Sequence, residues 1–214
     1  DHPVISETDW YTLYFDKGAY QDGDAAARFL RRVDGTARDA PVVQVLRDSP
    51  AGHDAASGFA AARSSMALPA PTDVVLAADQ PPDRAFWTRL VADHPGAVLA
   101  LWLEPGDLAE VAALAAAEPR PPLAFASAGL LGNELATLPG ELRTFTFVTY
   151  QGSFPEDMGR SRLAVETWLK AKGLEVTNYP IQARIYFLGW TLTELVHMMR
   201  DDFYRDYFVD LADM

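Results

Sequence analysis

The chain has 214 residues, 49% of them hydrophobic, enough for one large α/β domain or one and a half small ones. A formal net charge of −12 argues against nucleic acid and against an anionic membrane surface as partners, since both are bound through clustered Lys and Arg. The absence of cysteine excludes disulfides, thiol catalysis and Cys-ligated zinc, and no apolar run reaches the roughly 18 residues that span a bilayer.

In chain order, the opening Asp1-His2-Pro3-Val4-Ile5-Ser6 carries no secretory leader and reads like the interior of a domain, which predicts a mature or truncated product. A helix is expected over Asp24–Val33, with Ala26, Phe29, Leu30 and Val33 on one face and Asp22-Gly23-Asp24 at its start as cap residues. The Asp-Gly-Asp triplet lacks the remaining ligands of a calcium loop. Short aliphatic runs bounded by Pro, Gly or Asp follow at Pro41–Leu46, Asp73–Ala77, Ala97–Leu103, Pro122–Ala126 and Thr144–Tyr150, and these read as buried parallel strands. Between them, His53–Met66, Arg84–His94 and Asp107–Glu118 repeat apolar residues at helical spacing. Turn signals at Ser49-Pro50-Ala51-Gly52, Gln80-Pro81-Pro82-Asp83 and Glu104-Pro105-Gly106-Asp107 fall at the carboxyl ends of strands. Strand, turn and helix alternate as in βαβ crossovers, so the expected fold is a Rossmann-like, three-layer α/β lobe around a mainly parallel sheet.

The last third departs from this rhythm. Arg160–Lys172 reads as one helix ended by Gly173, and Pro180 opens a longer one reaching about Asp202, before an aromatic and acidic tail, Phe203–Met214. The long helix repeats Ile181, Ile185, Leu188, Leu192, Leu195 and Met199 on one side and carries Tyr186, Phe187 and Trp190 on another. A helix apolar on two sides is buried on two sides. Residues 160–214 are therefore expected either to pack on a partner, a second copy as in a homodimer or a missing N-terminal segment, or to leave a large apolar patch exposed.

Open α/β sheets bind ligands outside the carboxyl ends of their strands. Those ends carry Asp48, Ser49, Trp102, Glu104, Ser127, Tyr150 and Gln151, the candidate ligand-binding residues. Trp102 either stacks on a flat ligand or packs in the core, and Ser127 either hydrogen-bonds the ligand or serves as a turn residue. Gly129-Leu130-Leu131-Gly132 fails the dinucleotide pattern, and neither a P-loop nor a G-x-S-x-G elbow exists. Glu194, His197 and Asp201 share a helix face at metal-ligand spacing, but no second helix supplies the matching set, and a polar helix face is the plainer reading. No cofactor and no catalytic residue is expected.

Tyr20-Gln21-Asp22-Gly23-Asp24-Ala25-Ala26-Ala27 resembles, with one inserted residue, the Tyr-Gln-Gly-x-Ala-Ala-Ala helix of the type I periplasmic solute-binding proteins of the leucine/isoleucine/valine-binding kind. Pro3-Val4-Ile5-Ser6 resembles its Pro-Val-Ile-Ser strand, and Trp10–Phe15 its aromatic stretch. Val42–Gly58, Pro122–Leu135, Ser161–Leu174 and Ala183–Leu195 resemble later family segments.

The resemblance implies a bilobed fold with ligand closed between the lobes. Residues 1–17 would end the first lobe and enter the crossover, 18–145 would form the second lobe, and 146–214 would return to the first, whose N-terminal part is lacking here. It further implies a periplasmic, non-catalytic protein that captures a small molecule for the permease of an ABC importer or for a sensing system. The family places a tyrosine where this chain has Ala51, and an ammonium-binding acid where it has Ala128. An ammonium buried without a carboxylate is costly, so the expected ligand is not a standard α-amino acid. The alternatives are an interaction module that kept the fold and lost its ligand, and a doubly wound enzyme using Ser127, Asp48 or Glu104.

Overall fold

Five of the aliphatic runs form strands: β1 (Val42–Arg47), β2 (Thr72–Leu76), β3 (Val98–Trp102), β4 (Ala124–Ser127) and β5 (Thr146–Thr149). The structure, a computed structural model, is described over residues 17–33, 35–77, 81–108, 110–132, 138–150 and 159–213. Pro3–Ser6, Trp10–Phe15 and Gln151 lie outside the described residues. Every pairing is parallel and the strand order is β2-β1-β3-β4-β5. Parallel neighbours need crossovers, and α3 (Pro50–Ser65), α4 (Arg84–Asp93) and two 3₁₀ turns (Pro105–Asp107, Val111–Ala116) supply them. Among the described residues, two helices precede β1: α1 (Ala19–Leu30) and the one-turn α2 (Thr36–Asp39).

Strand alternation sorts the core into two layers. Val42 and Leu46 of β1, Val98, Ala100 and Trp102 of β3, and Phe125 of β4 pack with Ala26, Ala27 and Leu30 of α1 and Ala55, Phe59 and Ala62 of α3. On the other face, Val43, Val45, Leu99, Leu101, Ala124 and Ala126 pack with Trp87, Leu90 and Val91 of α4 and with Val111 and Leu114. The central strands β1 and β3 are buried along their whole length, as expected of a sheet covered on both faces, whereas the edge strand β2 is largely exposed. The three-layer, parallel α/β arrangement expected from the sequence is the one observed.

Two elements differ from expectation. The first helix begins at Ala19, so Asp22 lies within it and Gly18, not an aspartate, is its N-cap. The alanine-rich stretch after β3 forms 3₁₀ turns in place of an α-helix. Leu108, Val111 and Leu114 recur every third residue, and all three are buried. That spacing aligns side chains along one row of a 3₁₀ helix, so packing against the sheet overrides the alanine propensity.

The helices α1 and α3 approach until only glycine fits between them. A Cβ on Gly23 would overlap the Ala55 carbonyl oxygen, and one on Gly58 would overlap the Tyr20 carbonyl oxygen.

Residues 159–213 belong to a second unit, whose described helices are α5 (Gly159–Ala171), α6 (Tyr179–Met199) and α7 (Arg205–Asp213). Asn178 caps α6 by accepting from the Ile181 N–H at 3.3 Å. Trp168 of α5 meets Tyr186 of α6 with ring centroids 5.5 Å apart. Leu195 and Met199 of α6 form a small apolar cluster with Leu211 of α7, so part of the expected C-terminal tail is a helix.

Candidate functional site

The strand order reverses between β1 and β3. Connections leave these two strands toward opposite faces of the sheet, which opens a crevice outside their carboxyl ends. At the β1 exit, Ser49 caps α3, its Oγ accepting from the Gly52 N–H at 3.2 Å. Gly52 has no room for a side chain, because a Cβ there would overlap the Arg47 carbonyl oxygen. The first turn of α3 is thereby pressed onto the end of β1. Asp48 and His53 are both exposed and join through Oδ1 and Nε2 at 2.9 Å. At the β3 exit, Glu104 stands exposed at the head of the Pro105–Asp107 turn, its backbone N–H donating to Asp107 Oδ2 at 3.1 Å.

The floor between these two exits is an ion pair. The Arg47 guanidinium donates to both carboxylate oxygens of Asp107 and to the Ala77 carbonyl oxygen, and both side chains are buried. It ties the ends of β1 and β2 to the turn after β3, and the two-point carboxylate contact suits the planar fork of arginine. The sequence signal for it was an arginine closing the apolar run Val42–Leu46 and an aspartate in the βα turn after β3, the strand beside β1.

Trp102, a stacking candidate, is wholly buried, and its indole N–H donates to Gln44 Oε1 at 2.8 Å. The Gln44 amide in turn donates to Asp73 Oδ1 at 2.9 Å and to the Ala56 carbonyl at 3.3 Å. Trp102 alternates with Ala100 and Val98 toward α1 and α3, so its ring fills the core and offers no face at the rim. Ser127 is also turned inward. Its hydroxyl donates to Asp22 Oδ2 at 2.6 Å and accepts from the Leu130 N–H at 3.1 Å, and Asp22 and Ser127 are 3% and 1% exposed. Both of its hydrogen bonds are made within the protein. Asp22 was read as a helix cap, yet it stands four and eight residues before Ala26 and Leu30, on the buried stripe of α1. That position was the available signal for a buried carboxylate.

Tyr150 follows β5 and is half-buried, next to the carboxyl end of β4, where Ser127 and Thr149 are in register. Asp48, Ser49 and Glu104 thus share the switch-point rim, Tyr150 lies further along it, and Trp102 and Ser127 lie beneath. Among the described residues no three His, Asp or Glu side chains converge on a point that could hold a metal ion, and Glu194 and His197 are exposed on α6. No described helix is long and apolar enough to cross a membrane.

No family model matches this sequence, and no curated protein matches it. Solved structures do. A protein from Silicibacter pomeroyi, assigned as a branched-chain amino acid ABC transporter, is 14% identical with a TM-score of 0.62, over 95% of this chain and 53% of its own. A solute-binding protein of an ABC transporter from R. palustris, in complex with benzoate, is 16% identical with a TM-score of 0.52, over 91% of this chain and 52% of its own. The C-domain of LpoA from Haemophilus influenzae, a regulator of PBP1A, is 16% identical with a TM-score of 0.51, over 87% of this chain and 56% of its own. The fold is that of the type I periplasmic solute-binding proteins, and the chain spans about half the length of the structures it matches.

Proposed function

We propose that this chain is the ligand-holding part of a periplasmic solute-binding protein that serves the permease of an ABC importer or a related sensing system. In this reading residues 18–145 form one lobe and 146–214 return to the other. The solute contacts Asp48, Ser49, Glu104, Tyr150 and Gln151, while Trp102 and Ser127 support the rim from below. The observation that carries it is the switch point between β1 and β3, where the capped first turn of α3 meets the exits of two central strands. The positive end of a 16-residue helix there favours an anionic group, such as a carboxylate.

The solute is a deamino acid or another small molecule lacking an ammonium group. Ala128 offers no carboxylate, and the nearby Asp22 carboxylate is buried and accepts from Ser127. Binding without catalysis is supported by the same contacts. The Ser127 hydroxyl and the Asp22 carboxylate that accepts from it are both buried, which keeps the pair from a solute at the rim. A benzoate-bound structure of the same fold is in keeping with an acid ligand.

A thermal-shift screen of the naturally produced protein tests this reading. Aromatic and aliphatic monocarboxylates should raise the melting temperature, because a ligand at one hundred times its Kd adds about 2.7 kcal/mol. A shift with leucine or valine and none with their deamino analogues would remove the ligand assignment. Turnover of any compound would return the enzyme reading.

One observation favours a second reading, an interaction module without a solute. The switch-point floor is filled by Arg47 and Asp107, and LpoA shows the fold in a protein that regulates another. Absence of a shift with every acid, amide and alcohol tested would select it.

A further inference from the structure

The sheet ends at β2, and its outer edge is open. The Asp48 N–H donates to the Leu76 carbonyl oxygen at 2.9 Å, so Leu76 turns its backbone groups toward β1. Backbone groups alternate sides along a strand, which sends those of Thr72 and Val74 the same way and those of Asp73 and Val75 outward. No hydrogen bond to another described residue takes up the outward backbone groups. An edge of this kind is a template for a further strand, and proteins usually blunt it with proline, lysine or a bulge. Thr72–Leu76 has none of these: it reads Thr-Asp-Val-Val-Leu and pairs with β1 residue for residue. Its one charge, Asp73, is engaged by the Gln44 amide at 2.9 Å. Val75 is 49% exposed, and beside it a cleft of about 490 Å³ runs to α4, lined by Leu76 and Phe86 and by Asp83 and Arg89.

We propose that this edge joins two copies of the chain, β2 against β2, antiparallel about a two-fold axis through Val75. In that register Val75 faces its own copy, and the two outward N–H groups at the axis each donate to the opposite carbonyl. On the α4 side, Val74 stands opposite Leu76 of the second copy and Leu76 opposite its Val74, so apolar side chains meet beside the cleft. The two Asp73 carboxylates stand four residues apart along the pair. That is roughly 14 Å at about 3.4 Å per residue, beyond the screening length of about 8 Å in physiological salt. The register thus keeps the charge of a chain with a formal −12 out of the contact. Asp83 and Arg89 give the cleft one charge of each sign, so two copies meet there without an excess of either. A second copy is chosen over a foreign strand because β2 complements itself in hydrogen bonds, side chains and charge, and an isologous contact closes at two. The contact makes one continuous sheet from two of five strands. It does not rest on the solute reading.

Sedimentation equilibrium of the full-length protein across a hundred-fold range of concentration tests it, with β2 variants alongside. The unaltered protein should pass from one copy to two as concentration rises. Val75→Pro deletes the outward N–H on the axis and spares the β1 ladder, since the Val75 N–H takes no part in it. Val75→Lys sets two like charges opposite each other. Either change should weaken association at least ten-fold with circular dichroism unchanged, and the lysine variant decides should the proline variant fail to fold. Val75→Cys gives a direct reading, because Cα atoms of a hydrogen-bonded antiparallel pair lie about 5.5 Å apart, within disulfide reach. Mild oxidation should link its copies through position 75, while Thr72→Cys, roughly 20 Å from its own copy, should stay unlinked. A single copy at every concentration overturns the proposal and leaves the edge to a strand of another protein. A dimer that persists in the lysine variant, or that cross-links as readily through Thr72→Cys, overturns it as well.

Discussion

At Ser127 a single hydroxyl bridges a buried carboxylate and a backbone N–H. Removing it in Ser127→Ala takes a donor from Asp22, and a buried acceptor left short costs about 1–3 kcal/mol. Urea unfolding should show that loss, and an unchanged midpoint would mean that Asp22 is rehydrated. Trp102→Phe tests the neighbouring layer. It should cost a similar 1–3 kcal/mol by stranding the Gln44 carbonyl oxygen, and leave solute affinity unchanged. Lost affinity at unchanged stability would bring back the stacking reading. Arg63 gives a prediction of opposite sign. It is buried in α3, its Nε donates to the Pro69 carbonyl at 2.8 Å, Nη1 has no hydrogen-bond partner among the described residues, and burial pushes its pKa below the ordinary value. Arg63→Met should be neutral or stabilising, and a loss above about 2 kcal/mol would contradict this. Residue roles were the least legible part of the sequence. A tryptophan at a strand end looks the same whether its ring points up to the rim or down into the core. Only the pairing of Leu46 with Trp102 and the reach of Gln44 decide which.

Among elements, the crossing of α1 and α3 makes the sharpest claim. An exposed mid-helix glycine changed to alanine gains up to about 1 kcal/mol from propensity alone. Gly23→Ala and Gly58→Ala should instead lose about 1–3 kcal/mol each, because the added methyl meets backbone oxygen. The β1–β3 junction rests on the Arg47–Asp107 pair. Asp107→Ala should cost about 3–5 kcal/mol by taking the paired carboxylate from a buried guanidinium, while Arg47→Met combined with Asp107→Leu should recover most of it. Chemical denaturation of the three variants gives the comparison, and a double variant no more stable than the single one would show that the pair is not the source. Strands and α-helices were readable in the sequence because Val42–Leu46 and Ala97–Leu103 are unbroken apolar runs between turn residues. The 3₁₀ turns were not readable, since alanine propensity points to α-helix and only burial of Leu108, Val111 and Leu114 argues otherwise.

For the whole molecule, parallel topology was legible from the alternation of elements, and so was an α6 apolar on more than one side. Which residues meet a solute was not legible, because that depends on how far each strand end projects beyond its neighbours. The complete burial of β1 and β3 has a consequence in time as well as in space. Amides of central strands open only with their cooperative unit, whereas those of half-exposed helices open by local fluctuation. In the 214-residue polypeptide, native-state hydrogen exchange should therefore divide the chain into a slow class at Val43, Val45, Leu99 and Leu101 and a fast class along Ile181–Leu192. A partner seated on α6 would move the second class toward the first, so that the exchange rates of a few backbone amides would report the contact.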